Sequence, residues 1–343
     1  MTAREIVKKR LNHEHTDSTP YDVQFEPELY RRLCEHYGDD DWQSKKLRSF
    51  SCSYLTVDTV GMKEIDAIWS KDAYGALWRM DRKPWSLVEP PLPGQTLEGY
   101  TFPTAESFVS PILRDKPAAI AAYEADDEHY RIINMGWGIF EHSWRLRGFV
   151  NALMDMATDE DFYIEMTTRI TDLYIAMLKA CEDVPADAYL FGDDWGEQRG
   201  LIMGPDRWRR LLKPCWARIY AEVHRQGKIS IQHSCGSVVD IYGDLHEIGM
   251  DAHESVQPEA RGMEPSAIKA RWGDKISFWG CLGSQGILYH GSPKEIQEEI
   301  YRLRDLFHEN GGHILAPAKP LPDEMPLEKA LAVVETLSTL NPS

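Results

Sequence analysis

The stretch Lys228–Gly236 reads Lys-Ile-Ser-Ile-Gln-His-Ser-Cys-Gly and joins a short β-type run to a polar turn. Apolar and polar residues alternate over Lys228–Gln232, which is typical of a strand, and a helical pattern follows near Val238–Ile248. The same order of β run, polar loop and amphipathic helix recurs along the chain. The other β runs in the C-terminal two thirds are Tyr130–Met135, Ala188–Phe191, Asp251–Val256, Lys275–Trp279 and His313–Ala316.

Short strands that alternate with helices predict parallel pairing with helical crossovers. Two earlier strand-like pieces, Ser51–Val57 and Ala67–Met80, bring the number of units to about eight. We therefore expect a single (β/α)8 (TIM) barrel with an irregular N-terminal extension. Residues 1–104 are expected to form this extension and the first barrel elements, and residues 105–343 the remainder of the same domain.

The composition excludes several classes of protein. The chain has 343 residues, 43% of them hydrophobic, with 11 Trp and 15 Tyr, so it is neither disordered nor fibrous. Its formal charge of −17 argues against nucleic-acid and anionic-membrane partners. No apolar run of about 18 residues and no signal-peptide pattern is present, so we expect a cytoplasmic protein without a membrane span. Six cysteines are too sparse for a disulfide framework.

In a (β/α)8 barrel the functional residues follow the C-terminal ends of the strands. The segment Phe191-Gly-Asp-Asp-Trp-Gly-Glu-Gln-Arg199 places Asp193 and Asp194 there. Neighbouring carboxylates raise one another's pKa, so one can act as a general acid or both can bind a ligand. We predict that both are catalytic; capping of a turn is the alternative for Asp193. The residues predicted to contact substrate are Trp137, Glu141, Trp195, Gln198 and Gln257.

Nitrogen and sulfur donors also follow predicted strands. His233 and Cys235 are two residues apart on an extended chain, so their side chains share one side, and zinc accepts such ligands. Cys281 and Glu254 end two further strands of the same rim. We predict a zinc site made by His233, Cys235 and Cys281, with Glu254 in the fourth position. The alternative for Cys281 is that it fills a gap in a tight turn.

Five segments of the chain resemble the uroporphyrinogen decarboxylase superfamily, and they occur in the same order. They are Leu11-Asn-His-Glu14 followed by Pro20; Tyr100–Pro103; Phe191-Gly-Asp-Asp-Trp-Gly196; His233-Ser-Cys-Gly236; and Gly311-Gly-His-Ile-Leu-Ala-Pro317 with Pro326. The resemblance covers nearly the whole chain and implies a (β/α)8 barrel. The superfamily contains porphyrinogen decarboxylases and zinc-dependent, corrinoid-linked methyltransferases.

Two features separate these branches. The Arg-rich N-terminal pattern with which the decarboxylases hold their substrate is missing here, whereas the His-x-Cys motif of the methyltransferases matches His233 and Cys235. Their further Cys belongs near the eighth strand, where this chain has Ala316-Pro-Ala-Lys319, so we expect Cys281 to replace it.

The resemblance thus implies a zinc-dependent methyltransferase that acts on a small-molecule substrate. It would move a methyl group between a small methylated substrate or thiol and a corrinoid (cobalamin) cofactor, carried by a small corrinoid protein as partner. One alternative is a metal-free decarboxylase of a small acid, in which Asp193 or Asp194 protonates the carbanion. Another is a barrel that binds a corrinoid or small molecule without catalysis.

Overall fold

The computed structural model describes residues 1–341, with the side chains of residues 52–54 and 110–112 excepted. The strands are β1 (Ser51–Thr56), β2 (Lys63–Glu64), β3 (Trp69–Lys71), β4 (Leu77–Arg79), β5 (Ser86–Glu89), β6 (Tyr130–Asn134), β7 (Ala188–Gly192), β8 (Gly196–Glu197), β9 (Gly200–Leu201), β10 (Ile229–His233), β11 (Ala252–Val256), β12 (Ser277–Leu282) and β13 (His313–Pro317). The helices are α1 (Ala3–Leu11), α2 (Pro27–Tyr37), α3 (Trp42–Lys46), α4 (Ala105–Leu113), α5 (Lys116–Ala125), α6 (Ile139–Arg147), α7 (Phe149–Thr158), α8 (Glu160–Ala180), α9 (Pro205–Leu211), α10 (Lys213–Arg225), α11 (Tyr242–Glu247), α12 (Pro265–Trp272), α13 (Ile287–His290), α14 (Pro293–Phe307) and α15 (Leu327–Thr339).

A parallel sheet of seven strands forms the centre of the molecule, in the order β1-β6-β7-β10-β11-β12-β13. All its strand pairs are parallel, and helices connect consecutive strands, as the alternating sequence pattern predicts. Every residue of β12 and β13 is buried, which is typical of strands covered on both faces. The C-terminal ends of all these strands meet at one edge, where the candidate site lies.

The predicted strand Ala67–Met80 does not belong to the central sheet. It forms β3 and β4, two strands of a separate antiparallel sheet in the order β2-β3-β4-β5. The chain turns between them because the Asp72 carboxylate accepts the backbone N–H groups of Tyr74 and Ala76, and Gly75 has a φ of 93°. The segment is therefore made of strands, as predicted, but they form a hairpin outside the central sheet.

An N-terminal segment lies beside the last strand of the central sheet. Tyr21 pairs in parallel with Leu315 of β13, and the Asp22 N–H donates to the Leu315 carbonyl oxygen at 2.9 Å. Pairing of β1 with β13 is not found among the residues that the structure describes, so closure into a barrel stays a prediction. The pairing brings Asp22 to the rim of the site.

Two helices, α6 and α7, follow β6 and lead into the long helix α8. The N-terminus of α6 follows Gly138, which has no side chain to cap it, and the acceptor comes from Asp193 in a distant loop. No helix in the described residues is long and apolar enough to cross a bilayer.

Candidate metal centre and substrate cavity

A cavity of about 640 Å³ opens at the C-terminal ends of the central strands. This position and volume are typical of small-molecule sites in α/β proteins. Six of the residues selected from the sequence line it: Trp137, Glu141, Asp194, His233, Cys235 and Glu254.

Three potential metal ligands converge in the cavity wall. Asp194, His233 and Cys235 bring one donor atom each to within 4.8 Å of the others. The Nε2 atom of His233 lies 3.5 Å from the Sγ atom of Cys235 and 3.5 Å from an oxygen of Asp194. Tetrahedral zinc with bonds of about 2.0 Å to nitrogen and about 2.3 Å to sulfur separates its ligand atoms by about 3.5 Å. The residues present therefore fit zinc.

The pairing of two neighbouring strands places these donors. His233 of β10 is in register with Gly192 of β7, so Cys235 and Asp194 both follow two residues later. The Asp194 carboxylate accepts the Cys235 N–H at 2.7 Å and ties the two turns together. A Cβ atom at Gly196 would collide with the carbonyl oxygen of Cys235, so the close crossing of these turns requires glycine.

Glu254 orients the histidine from the other side of its ring. Its Oε2 atom lies 2.5 Å from Nδ1 of His233, because His233 and Glu254 are in register on β10 and β11. Burial opposes the protonated imidazole, but the carboxylate of Glu254 and the thiol of Cys235 outweigh it and raise the pKa of His233. Glu254 is thus placed as a partner of the histidine, whereas the sequence predicted a fourth ligand.

The structure does not bring Cys281 to this group. Cys281 is fully buried away from the cavity, where the charged groups that act on it are Glu264, Glu299 and Arg302, next to or within the outer helices α12 and α14. Burial raises the pKa of its thiol. The sequence prediction of a third ligand rested on Cys281 ending a strand of the same rim as His233 and Cys235. Gly280 and Cys281 have φ values of 126° and 73°, which interrupt the regular alternation of side chains at this end of β12.

Asp193 is buried behind the cavity wall instead of lining it. Its carboxylate accepts the N–H groups of Phe140 and Glu141 at the start of α6, and the indole N–H groups of Trp195 and Trp216. Burial raises the pKa of Asp193 to about 7, although the four donors favour its anion. This carboxylate holds α6 and two tryptophans in place. The alternative weighed from the sequence was capping of a turn, whereas the element that it caps here is a distant helix.

The other three predicted substrate contacts also lie outside the cavity wall. Trp195 is buried against Trp208 and Trp216. Gln198 is exposed and donates to the side chain of Gln285 at 3.2 Å. The Gln257 side chain is buried and accepts the backbone N–H of Gly236 at 2.9 Å, so it supports the turn that carries Cys235.

Several residues of the cavity wall were not selected from the sequence. Among them are Asp22, Trp279 and Lys319. Trp279 ends the predicted strand Lys275–Trp279, and this position would have identified it as a residue of the site. Burial, with the nearby charge of Glu254, raises the pKa of Asp22 to about 6. Burial, with Asp193 and Asp194, raises the pKa of Glu141 to about 8.

The amino-acid sequence is similar to that of a known protein family. The family model for uroporphyrinogen decarboxylase (URO-D) matches residues 137–340, more than half of the chain. Uroporphyrinogen decarboxylases of two Bacillus cereus strains, B4264 and ATCC 14579, are 26% identical over 185 residues, 48% of this chain and 52% of theirs. The chain thus matches about half the length of these curated relatives.

The fold is shared over its whole length with a solved structure. A methyltransferase from Methanosarcina mazei superposes with a TM-score of 0.68, at 18% identity, over 98% of both chains. At this low sequence identity the match shows a common fold and nothing about function. With the family model matched over more than half of the sequence, the chain belongs to the uroporphyrinogen decarboxylase family.

Proposed function

We propose that the protein is a zinc-dependent methyltransferase. The observation that carries this proposal is the convergence of Asp194, His233 and Cys235 at distances that suit tetrahedral zinc. Three protein ligands leave one position for a substrate, which is the count of a catalytic zinc site. The methyltransferase identity of the Methanosarcina neighbour supports this proposal.

Zinc held by Asp194, His233 and Cys235 would lower the pKa of a bound thiol and so supply a thiolate near neutral pH. Other side chains of the cavity wall act on these three donors or on the substrate. Glu254 fixes the imidazole of His233 with Nε2 facing the other donors. Glu141, whose pKa is about 8, holds a proton on its carboxyl group in the cavity wall at neutral pH.

We propose further that the methyl group moves between a small methylated substrate or thiol and a corrinoid carried by a partner protein. The support is the His-x-Cys motif, at His233 and Cys235, which resembles the corrinoid-linked branch of the family.

Decarboxylation of a small acid is the second candidate. The names of the Bacillus cereus relatives favour it, and a protonated Glu141 in the cavity wall could supply the proton for a carbanion. Against it, an anionic substrate would meet few basic groups, because the described basic residues of the wall are His233 and Lys319.

Metal analysis of the purified protein tests the zinc proposal. We expect about one zinc per chain in the wild type and little in Cys235→Ser, because removal of the thiolate leaves two ligands. Cys34→Ser, which changes a half-buried cysteine on α2, serves as the control and keeps its zinc. Equal zinc contents in wild type and Cys235→Ser, or decarboxylase turnover by metal-free protein, would favour the second candidate.

A further inference from the structure

The guanidinium of Arg145 is buried behind the cavity wall without a hydrogen-bond acceptor. Arg145, on α6, is 0% exposed, and neither Nε nor the two Nη atoms have a hydrogen-bond partner among the described residues. The carboxylate of Asp72 lies 3.7 Å from Nε and already accepts three other N–H groups, those of Tyr74, Ala76 and Trp78. A guanidinium carries five N–H donors, so leaving all of them unpaired in the interior is strongly unfavourable.

Two other buried arginines of this chain are fully paired. Arg10 donates from all three of its nitrogens, to a threonine hydroxyl and to backbone carbonyl oxygens. Arg147 donates to both oxygens of Asp155 and to a backbone carbonyl oxygen. This fold therefore provides acceptors for a guanidinium that only joins elements together, and it provides none for Arg145. Few buried polar groups of native proteins lack a partner, and one that does points to a ligand, an ion or a water molecule.

A second buried donor, the hydroxyl of Tyr74, lies near Arg145 and is also unpaired among the described residues. Both residues contact Asp72, whose carboxylate accepts the Tyr74 N–H at 3.0 Å. Burial raises the pKa of Tyr74 and the charge of Arg145 opposes this rise, so the phenol keeps its proton at neutral pH and can donate it in a hydrogen bond. Donors without acceptors require a ligand rich in acceptors. A carboxylate is such a group, and the planar fork of a guanidinium matches it.

One indole ring separates Arg145 from the substrate cavity. The guanidinium carbon lies 4.0 Å from the ring centroid of Trp137, and Trp137 lines the cavity. Trp137 is half-buried in the loop between β6 and α6, with Gly136 and Gly138 on either side. Glu141, one helical turn before Arg145, also lines the cavity, and its pKa of about 8 leaves the carboxyl uncharged at neutral pH. Rotation of the indole would therefore give a ligand in the cavity access to Arg145.

Resting on the proposed function, in which the substrate occupies this cavity, we infer that Arg145 and Tyr74 bind a carboxylate group and that Trp137 turns aside to admit it. The guanidinium fork donates two hydrogen bonds to the carboxylate, and the Tyr74 hydroxyl donates a third. The basic residues of the wall itself are His233 and Lys319, and Arg145 adds a third basic group behind it. The carboxylate belongs either to the substrate or to a small free anion, and the chemistry of the site is the same in both cases.

A matched set of ligands tests the inference by calorimetric titration of the purified protein. Butyrate and butyramide have nearly the same shape and differ in charge, and formate is a carboxylate without an apolar body. We expect butyrate to bind at least about tenfold more tightly than butyramide, because hydrogen bonds to a charged group contribute that much. Equal affinities, tighter binding of butyramide, or no binding of butyrate would overturn the inference.

Formate distinguishes the two sources of the carboxylate. If formate binds as tightly as butyrate, the ligand is a free anion, because the apolar body adds nothing. If formate binds at least about tenfold more weakly, the carboxylate belongs to a larger molecule that fills the cavity of about 640 Å³.

Two variants link the preference to the residues. Arg145→Met keeps an unbranched apolar chain beside the indoles and removes the fork, so the affinity for butyrate should fall at least about tenfold, to that for butyramide. Tyr74→Phe removes only an unpaired hydroxyl, so it should fold as the wild type does and lower the affinity for butyrate by about three- to tenfold. Arg218→Met, which breaks an exposed pair with Asp172, is the control and should bind butyrate as the wild type does. A preference for butyrate that survives in both test variants would contradict the assignment.

A third variant tests the role of the indole. Trp137→Ala removes the ring between Arg145 and the cavity, so butyrate should bind more tightly than to the wild type. Unchanged or weaker binding of butyrate would show that the carboxylate does not pass Trp137.

Zinc content, read in the same samples, separates this inference from the proposed function. Protein that holds no zinc but prefers butyrate contradicts the zinc proposal alone. Protein that holds zinc but does not distinguish butyrate from butyramide contradicts the carboxylate inference alone.

Discussion

The imidazole of His233 lies between a carboxylate and a thiol, with Nδ1 2.5 Å from Oε2 of Glu254 and Nε2 3.5 Å from Sγ of Cys235. When Nδ1 donates its proton to Glu254, the lone pair of Nε2 faces the other two donors. Strand pairing alone creates this arrangement, since His233 and Glu254 are register partners on β10 and β11. The orientation needed for metal binding is therefore built into the central sheet.

Glu254→Gln should weaken zinc binding by about 10- to 100-fold without changing the number of zinc ions bound, because this is the usual cost of losing a partner that orients a histidine ligand. Competition with a chromophoric chelator measures the affinity. Glu309→Gln, at an exposed site before Gly311, is the matched control. Loss of all zinc would show that Glu254 is a ligand, and an unchanged affinity would show that it does not orient His233.

The adjacent carboxylates Asp193 and Asp194 should respond differently to the same substitution. Asp193→Asn should lower the free energy of unfolding by about 2–4 kcal/mol, because the amide cannot accept from all four N–H donors that converge on it. Asp194→Asn should lower zinc affinity with little loss of stability, because its amide oxygen can still accept the Cys235 N–H. Urea unfolding and zinc titration of both variants distinguish the two roles. Equal stability losses would contradict this division.

Cys281→Ser should leave the zinc content at the wild-type value, because Cys281 is buried away from the donor group. The serine hydroxyl would be fully buried without an assured partner, so the free energy of unfolding should fall by about 1–3 kcal/mol. Metal analysis and urea unfolding measure both effects. Loss of zinc in this variant, with the fold retained, would restore Cys281 as a ligand.

The sequence predicted those residues of the site that directly follow a strand. His233, Cys235 and Asp194 follow β runs directly, and parallel pairing of β7 with β10 brings them together. Trp137 follows β6 for the same reason, whereas Glu254 lies within β11; both line the cavity. Position at a strand end does not by itself decide where a side chain points. The prediction for Cys281 rested on that position alone, and two successive positive φ values interrupt the strand there.

Long-range pairing explains the residues that the sequence did not reveal. Asp22 reaches the cavity because its segment pairs with β13, almost 300 residues later in the chain. The same limit applies to Asp193, whose partners on α6 lie more than 50 positions earlier. The residues next to Asp22 and Asp193 in the sequence do not indicate these distant contacts. The sequence alone therefore could not assign Asp22 to the cavity or Asp193 to the start of a helix.

The N-terminal helix is joined to the central sheet by a buried acid at Asp187, and its titration gives the last prediction. Arg4 and Lys8 of α1 each approach an oxygen of Asp187 at 2.8 Å, and the Arg131 N–H donates at 3.0 Å. Burial alone would raise the pKa of Asp187, but these partners outweigh burial and hold the pKa below its ordinary value of 3.8. Asp187 therefore stabilises the fold fully above this ordinary value, and the contribution is lost as the pH falls through the lower folded pKa.

Asp187→Asn should accordingly lower the free energy of unfolding at pH 7 by about 2 kcal/mol, less than for a fully buried pair because Lys8 is half exposed. The difference between variant and wild type should shrink as the pH is lowered below the ordinary pKa, since the wild-type carboxyl is then protonated too. Urea unfolding along a pH series measures it, with Asp172→Asn, which breaks an exposed pair with Arg218, as the control. If the difference in the free energy of unfolding between variant and wild type stays constant into the acid range, Asp187 acts through packing. Protonation removes the charge of the carboxylate, so an ion-pair contribution would have to disappear there.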